Sequence, residues 1–449
     1  MWANIEWTPA TVAVIAVAVA ILLAIKYVEY TRDVPLLYLQ QQSAVDATRT
    51  SGESAIYKSA KLGAGQHLRV GLDIRYDHYK LRQGNLRDIW ALRVKQPGSL
   101  AVGTDTISYA VINAMAKHIE PQIKGRQQVV FHPNQVLASV ASVALMVACF
   151  NNQVTVTIDP TTPCDLDEFN VTDCDADDKF DPEYTTESDR GIALRVVTTG
   201  NWGRTVVEFT QLNLVSAVAS TLKHLPESQQ IHPKDKFSVV YNPNLPSDHL
   251  LNVLTKWLTS SVAGCSKVWV GSTHPPHETT ILSLPEERVE EYAKSVPSTG
   301  LGFSIRYLGY SLGKQLFASG PLKLVYVDKS LTAKPHITDY NRIRAQLGAR
   351  VVSESGVYNI VGPVLATDIF DYRKVMVPNL LSYGAISQSL EIKLTNYHNN
   401  EGTLMVRGYT IGKTEVKEQK TTTLKQADGF MPIPAVGSWG SDGCLYVVG

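Results

Sequence analysis

The run from Thr8 to Ile25 (TPATVAVIAVAVAILLAI) carries no charged side chain. About 18 apolar residues are enough for one helix to cross the hydrocarbon of a bilayer, where a helix satisfies its own backbone hydrogen bonds without water. Trp2, Trp7, Tyr27 and Tyr30 flank the run, as interfacial aromatic anchors do. Ala18-Val19-Ala20 has the small-residue spacing of a signal-peptide cleavage site, but the leading stretch carries Glu6 and no Lys or Arg, whereas a secretory signal starts basic. The run therefore reads as a retained single-pass anchor. Lys26 and Arg32 follow it, so the positive-inside rule places the bulk of the chain in the cytosol. Five cysteines in 449 residues agree with a reducing compartment. The membrane expected is that of the endoplasmic reticulum.

Beyond the anchor the chain has the composition of a globular protein, with 44% hydrophobic residues. Lys plus Arg and Asp plus Glu both number 42, so no global basic field exists to attract nucleic acid. The apolar run from Gln135 to Phe150 is too short to span and reads as a buried helix. Thr106 to Ile119 reads as an amphipathic helix capped by Asp105 or Thr106. Strand-like segments run from Gln128 to His132, Val154 to Ile158, Ile192 to Val197, Phe237 to Tyr241, Val268 to Val270, Leu324 to Val327 and Ala349 to Ser353. Helical stretches lie between most of them, which implies an α/β fold with parallel sheets covered on both faces. From about Asp371 short alternating segments, Glu391 to Leu394 and Thr403 to Val406, suggest a small β subdomain.

Asp173, Asp175, Asp177 and Asp181 fall at ligand positions of an EF-hand loop, but Asp178 replaces its glycine and Tyr184 its bidentate Glu. A solvated acidic loop is the better reading. Cys164 and Cys174 lack a second pair, and His274-Pro275-Pro276-His277 lacks a third ligand, so no metal is expected. Gly408 to Thr414 is one residue short of a Walker loop and lacks its strand–loop–helix setting.

The order of motifs resembles the acyl-CoA synthetase and adenylate-forming ligase superfamily. SYAVINAMAKHI (from Ser108) is similar to its "TYxELN" helix, and FHPNQVLASVASVALMVACFNNQVTVTIDPTTP (from Phe131) to the segment that follows. LGARVVSESG, GTLMVRG (from Gly402) and DGFMPIPAVGSWGSDGCLYVVG (from Asp428) continue in family order, from roughly Asp88 to the end. After the N-terminal transmembrane helix read from the apolar run, the resemblance implies two parallel-sheet αβ subdomains and a small C-terminal β subdomain, as in the large domain of those enzymes. The expected divisions are an anchor at 1–33, a juxtamembrane segment at 34–87, and a first α/β subdomain at 88–230 with an acidic insertion at 164–190. A second α/β subdomain at 231–370 and the β subdomain at 371–449 complete the chain.

The same resemblance places the nucleotide motifs, and each is broken. The family's phosphate loop combines Gly, Ser and Thr with a Lys. Here it reads Thr198-Thr199-Gly200-Asn201-Trp202-Gly203-Arg204, with TQLNL from Thr210 downstream. It is one residue short, holds a bulky Trp and has no Lys; Arg204 is its one cation. The "YGxTE" motif reads Ser355-Gly356-Val357-Tyr358-Asn359, where the amide of Asn359 replaces the carboxylate that would hold Mg²⁺. The "GGAPL" adenine segment reads Val327-Asp328-Lys329-Ser330-Leu331, and the ribose-binding Asp falls on Ala435. The given sequence stops at Gly449, where the family's hinge to its catalytic lysine would begin.

The resemblance thus implies a pseudo-enzyme with no catalytic residue, whose degenerate positions are Tyr358, Asn359 and Ala435. Thr198, Thr199, Gly200, Gly203, Arg204 and Gly356 are remnants of nucleotide binding. No cofactor is expected; ATP and Mg²⁺ enter only in the alternative of an active, divergent fatty-acid–CoA ligase. The partners expected are the membrane and an acyl chain, lipid or protein. A second alternative is a serine hydrolase, since Gly309-Tyr310-Ser311-Leu312-Gly313 matches the nucleophile elbow, with Asp328 and His336 following. The topology makes a direct prediction. The sequon Asn170-Val171-Thr172 should stay unmodified in cells, so endoglycosidase treatment should leave the protein's gel mobility unchanged. A mobility shift would place the body in the lumen.

Overall fold

Pro9–Tyr30 forms one helix of 22 residues. Thr8 starts it by accepting a hydrogen bond from the Thr11 amide, and Pro9 occupies the first turn, where its missing N–H costs nothing. The helix buries none of its residues against the body, and its mean hydropathy of 2.5 makes it long and apolar enough to cross a membrane. The computed structural model describes residues 8–416 and 428–448, apart from 48, 64, 78–79, 172–173, 183–190, 201–202, 272–273, 299, 335–337 and 374–379.

The body is built on two sheets. A five-stranded sheet runs in the order Lys413–Val416, Gly203–Thr210, Ile192–Gly200, Thr155–Ile158, Gln128–Phe131, with the last three strands parallel. A fifteen-stranded sheet has a parallel centre of six strands: Arg350–Val357, Leu324–Ser330, Ile281–Pro285, Lys236–Val239, Lys267–Val270 and Ser99–Val102. Its central strands are apolar on both faces because helices cover both, as the buried sequence Leu324-Val325-Tyr326-Val327 shows. Beyond Ile360–Ala366 the sheet continues antiparallel into the β subdomain, which has its own apolar core around Ile392, Leu404 and Trp439.

The chain crosses the expected subdomain divisions in three places. Ser99–Val102 pairs with Lys267–Val270 of the second subdomain. Tyr57–Ser59, from the juxtamembrane segment, pairs with Leu390–His398, and Lys413–Val416 joins the five-stranded sheet.

Two helices begin later than their apolar patterns suggest, because serines cap them. Asp105–Ser108 is a strand, and the helix Tyr109–Ile123 starts where Ser108 accepts from the Val111 amide; Ile107 therefore belongs to the strand. The run from Gln135 likewise opens with a 3₁₀ turn, Pro133–Gln135. Its helix is Val140–Asn151, started by the reciprocal bonds of Ser139 and Ser142.

Gly384 marks where the β subdomain joins the main sheet. It sits at φ +86°, and a Cβ there would stand 2.2 Å from the Ala366 carbonyl oxygen. Gly384→Ala should therefore lower the unfolding free energy of the full chain in detergent by about 2–4 kcal/mol. Gly52→Ala, also at positive φ but in open space, should cost about 1 kcal/mol. Urea denaturation of both variants measures the contrast.

Candidate functional site

A cleft of about 470 Å³ opens between the two sheets. Ile158, Val196 and Val197 form one wall; Tyr241, Leu245 and Leu250 form the other. Thr198 and Thr199 project into it from the strand Ile192–Gly200, and Ser330 and Tyr358 close it from the main sheet. Burial raises the Tyr358 phenol, so it stays protonated. Four residues singled out by the broken motifs, 160 positions apart along the chain, thus line one cavity. Gly356 lies behind its wall, where an added Cβ would touch the Asp248 side chain at 3.5 Å.

Other predicted residues lie elsewhere or are already engaged. Gly200 pairs directly with Gly203, so two residues, 201 and 202, connect the strands of that hairpin. A two-residue connection offers few amides to a phosphate; Asn201 and Trp202 themselves lie outside the described residues. Arg204 forms an ion pair with Asp159, whose carboxylate also accepts from the Thr161 amide and the hydroxyls of Thr161 and Thr162. Burial alone would raise that carboxyl, but these hydrogen bonds and the Arg204 charge hold it below its usual range. Asn359 is buried away from the cleft, its amide donating to Met431 Sδ at 3.5 Å. Ala435 packs against the core of the β subdomain.

A second cavity, about 370 Å³, adjoins the first through Leu245, Pro246, Asp248 and Ser330. Its charged lining was not anticipated. His249 Nδ1 lies 2.8 Å from Asp328 Oδ2, while His249 Nε2 accepts the Asn242 amide at 3.2 Å. That second bond requires a lone pair on Nε2, so the proton sits on Nδ1 and is donated to Asp328. Burial raises Asp328 to about 6, against the hydrogen bond and charge of His249. Glu286, Glu287 and Glu290 line the same cavity, with Lys329 and Lys334. Lys329 lies 3.8 Å from the centre of the Tyr383 ring, and burial lowers its ammonium to about 8. The His249–Asp328 pair is hard to see in the sequence because 79 residues separate its members; the buried, apolar run ahead of Asp328 was the available signal.

The hydrolase reading is overturned by local geometry. Phe303 to Leu308 is helical, and Ser311 ends the helix Gly300–Ser311 with its hydroxyl donating to the Tyr307 carbonyl at 2.8 Å. A nucleophile elbow needs a strand–turn–helix junction to expose the serine. Asp328 pairs with His249, and His336 lies outside the described residues. In the acidic loop Asp177 pairs with Lys117 and Asp181 with Lys95; Asp173 and Tyr184 lie outside the described residues. Among the described residues no group of three or more His, Cys, Asp or Glu is placed to hold a metal. Gly408 ends one strand and Lys413 begins another, which removes the Walker reading.

No protein-family model matches the chain. Its sequence is similar to an uncharacterized protein of Saccharomyces cerevisiae, YHR045W, at 25% identity over 558 aligned positions covering 99% of both chains. Its fold is that of adenylate-forming enzymes. VinN in complex with L-aspartate superposes with a TM-score of 0.59 at 16% identity, covering 85% of this chain and 100% of VinN. The unliganded o-succinylbenzoate coenzyme A synthetase MenE of Bacillus subtilis gives 0.59 at 14%, covering 81% and 82%. The luciferase-like enzyme of the nonluminescent mealworm Zophobas morio gives 0.56 at 13%, covering 85% and 98%.

The Asp328 carboxyl makes stability depend on pH. In the folded chain it binds its proton more tightly than at the ordinary value of 3.8, so its contribution is full below pH 3.8 and is lost as pH rises through about 6. Asp328→Asn removes that titration. Between pH 3.8 and 7 the variant's unfolding free energy should gain about 3 kcal/mol relative to the parent. Parallel pH–stability curves would show that Asp328 titrates normally.

Proposed function

We propose that this chain is a membrane-anchored protein that uses the scaffold of an adenylate-forming enzyme to bind an acyl chain or related lipid, without activating it with ATP. The observation that carries this reading is the composition of the joined cavities. The part where the motif remnants meet is walled mainly by aliphatic and aromatic side chains, which suits a hydrocarbon ligand. The adjoining part presents Asp248, Asp328, Glu286, Glu287 and Glu290 against two lysines, a balance that repels a triphosphate. Arg204, the cation nearest the loop remnant in sequence, is neutralised by Asp159.

The N-terminal helix supports the anchoring part. Lys26 and Arg32 follow it and Glu6 precedes it, which favours a cytosolic body, and an apolar helix near an N-terminus is a common entry signal for the endoplasmic reticulum. Whether the body also docks a protein partner belongs to the same proposal. Thr198 and Thr199, which line the cleft, favour a second reading, an active divergent ligase using ATP and Mg²⁺.

One pair of measurements separates the two. The full chain in detergent should show no ATP–pyrophosphate exchange with medium- or long-chain fatty acids above a Gly200→Trp control, yet should bind a fluorescent fatty acid. Leu250→Trp, which fills the apolar wall, should weaken that binding about tenfold or more. Exchange above the control would establish the ligase, and failure to bind any acyl probe would remove the lipid reading.

A further inference from the structure

We infer that the outer face of the helix Gly300–Ser311 lies in the interface of the same bilayer that Pro9–Tyr30 enters, giving the body a second membrane contact. This inference rests on the anchor reading above.

The first observation is the helix face. Leu301, Ile305 and Leu308 are 75%, 38% and 48% exposed, and their spacing of four and three places them on one side. Phe317, just beyond the helix, is 42% exposed. The opposite side is fixed to the body: Arg306 Nε donates to the Ala345 carbonyl at 2.6 Å and the Tyr310 hydroxyl to that of Ala349 at 3.3 Å. An aliphatic stripe on a helix held rigidly from behind is the arrangement of an interfacial helix.

The second observation is position. The segment after this helix is bonded to the end of the anchor. Arg32 Nε donates to the Leu312 carbonyl at 3.1 Å, the Asp33 amide to that of Gly313 at 3.1 Å, and Lys314 Nζ to Thr31 Oγ1 at 2.7 Å. Lys314 Nζ also stands 5.6 Å from the centre of the Tyr27 ring. Tyr27 and Tyr30 occupy the aromatic belt of an inserted helix, so Lys314 and the helix end share its depth. The helix Leu36–Leu39 follows the anchor's base with Leu36, Leu37 and Tyr38 also exposed.

The third observation is charge. From Tyr292 to Val327 the sequence holds no Asp or Glu, but has Lys294, Arg306, Lys314 and Lys323. Of these, Arg306 turns into the body, Lys294 stands 3.7 Å from Glu290 and Lys323 pairs with Asp235 at 2.7 Å, so Lys314 is the cation beside the anchor's end, where it suits an anionic headgroup. Beside Glu290 and Asp235, the carboxylates that face this helix and its tether are Asp339, at the Tyr307 hydroxyl, and Asp33, which is paired with Arg350. The apolar stripe and the anchored position coincide, with Lys314 beside them. A bilayer explains the stripe and its place at the anchor's end together, whereas a protein partner would account for the stripe alone.

The test uses the full chain with Cys164→Ser and Cys174→Ser, reconstituted into phosphatidylcholine vesicles containing phosphatidylserine. An environment-sensitive fluorophore is placed at Leu308→Cys, at Val17→Cys within the anchor, or at Thr104→Cys on a surface turn. Lipids with a nitroxide near the headgroup should quench Leu308 and shift its emission to the blue, lipids with a deep nitroxide should quench Val17, and neither should quench Thr104. Quenching at Val17 with none at Leu308 overturns the inference and leaves the anchor standing. A blue-shifted but unquenched Leu308 means that protein covers the stripe, which also overturns it. Quenching at neither position removes the anchor reading and this inference with it.

Discussion

The helix Ser247–Val262 is buried from Asp248 to Ser261, so the polar groups it carries depend on partners inside the protein. Its hydroxyls do so locally: Thr255, Thr259, Ser260 and Ser261 all donate to carbonyls three or four residues back. Lys256 has no such recourse, and its ammonium reaches Glu354 Oε1 at 2.6 Å beneath the Tyr326 ring. Burial lowers the lysine's proton affinity and the Glu354 charge opposes that loss. Neither partner is tolerable alone at such depth, because breaking a buried pair leaves an uncompensated charge. The pair joins the helix to the strand Arg350–Val357 and thereby sets two walls of the cleft. Asp248 comes from one end of the helix, and Tyr358 follows the end of the strand.

The same architecture separates hydrocarbon from charge. Where the helix approaches the five-stranded sheet, the facing groups are Leu250, Val196, Val197 and Ile158. Where it approaches Glu286–Ser295, the facing groups are carboxylates at that helix's start, a position favoured by its dipole. A site for a triphosphate needs the reverse arrangement, with cations and free amides gathered at one end. The chain's overall neutrality conceals the local excess of acids at the second cavity.

What the sequence shows and hides follows from how each feature is encoded. The helix Pro9–Tyr30 and the parallel strands are legible because both are unbroken apolar runs, the strands since they lie between two layers of helix. The helix starts at Tyr109 and Val140 are less so, because a serine capping bond outweighs the apolar periodicity extending upstream of it. Collinear motifs place Thr198, Thr199, Ser330 and Tyr358 in one cavity. They do not show that Arg204 turns to Asp159 or that Asn359 faces Met431, because each depends on a partner from another strand. The Ser311 motif misleads for the converse reason: five residues fit the pattern, but the elbow lies in the backbone, and this backbone is helical.

The junction between anchor and body determines how these parts act together. Asp33 Oδ2 accepts from the Gln315 amide at 3.2 Å, Arg350 Nη2 at 3.1 Å and the Tyr372 hydroxyl at 2.8 Å, three residues after the helix ends. A flexible linker would let the body rotate freely about the N-terminal helix and would present the cleft in every direction. Here the anchor is fixed to Arg350, the first residue of the strand that leads to Gly356 and Tyr358. The direction of the anchor and the direction of the cleft are therefore set by one rigid element. If Pro9–Tyr30 spans a bilayer as proposed, a ligand leaving that bilayer would meet the cleft in a fixed orientation.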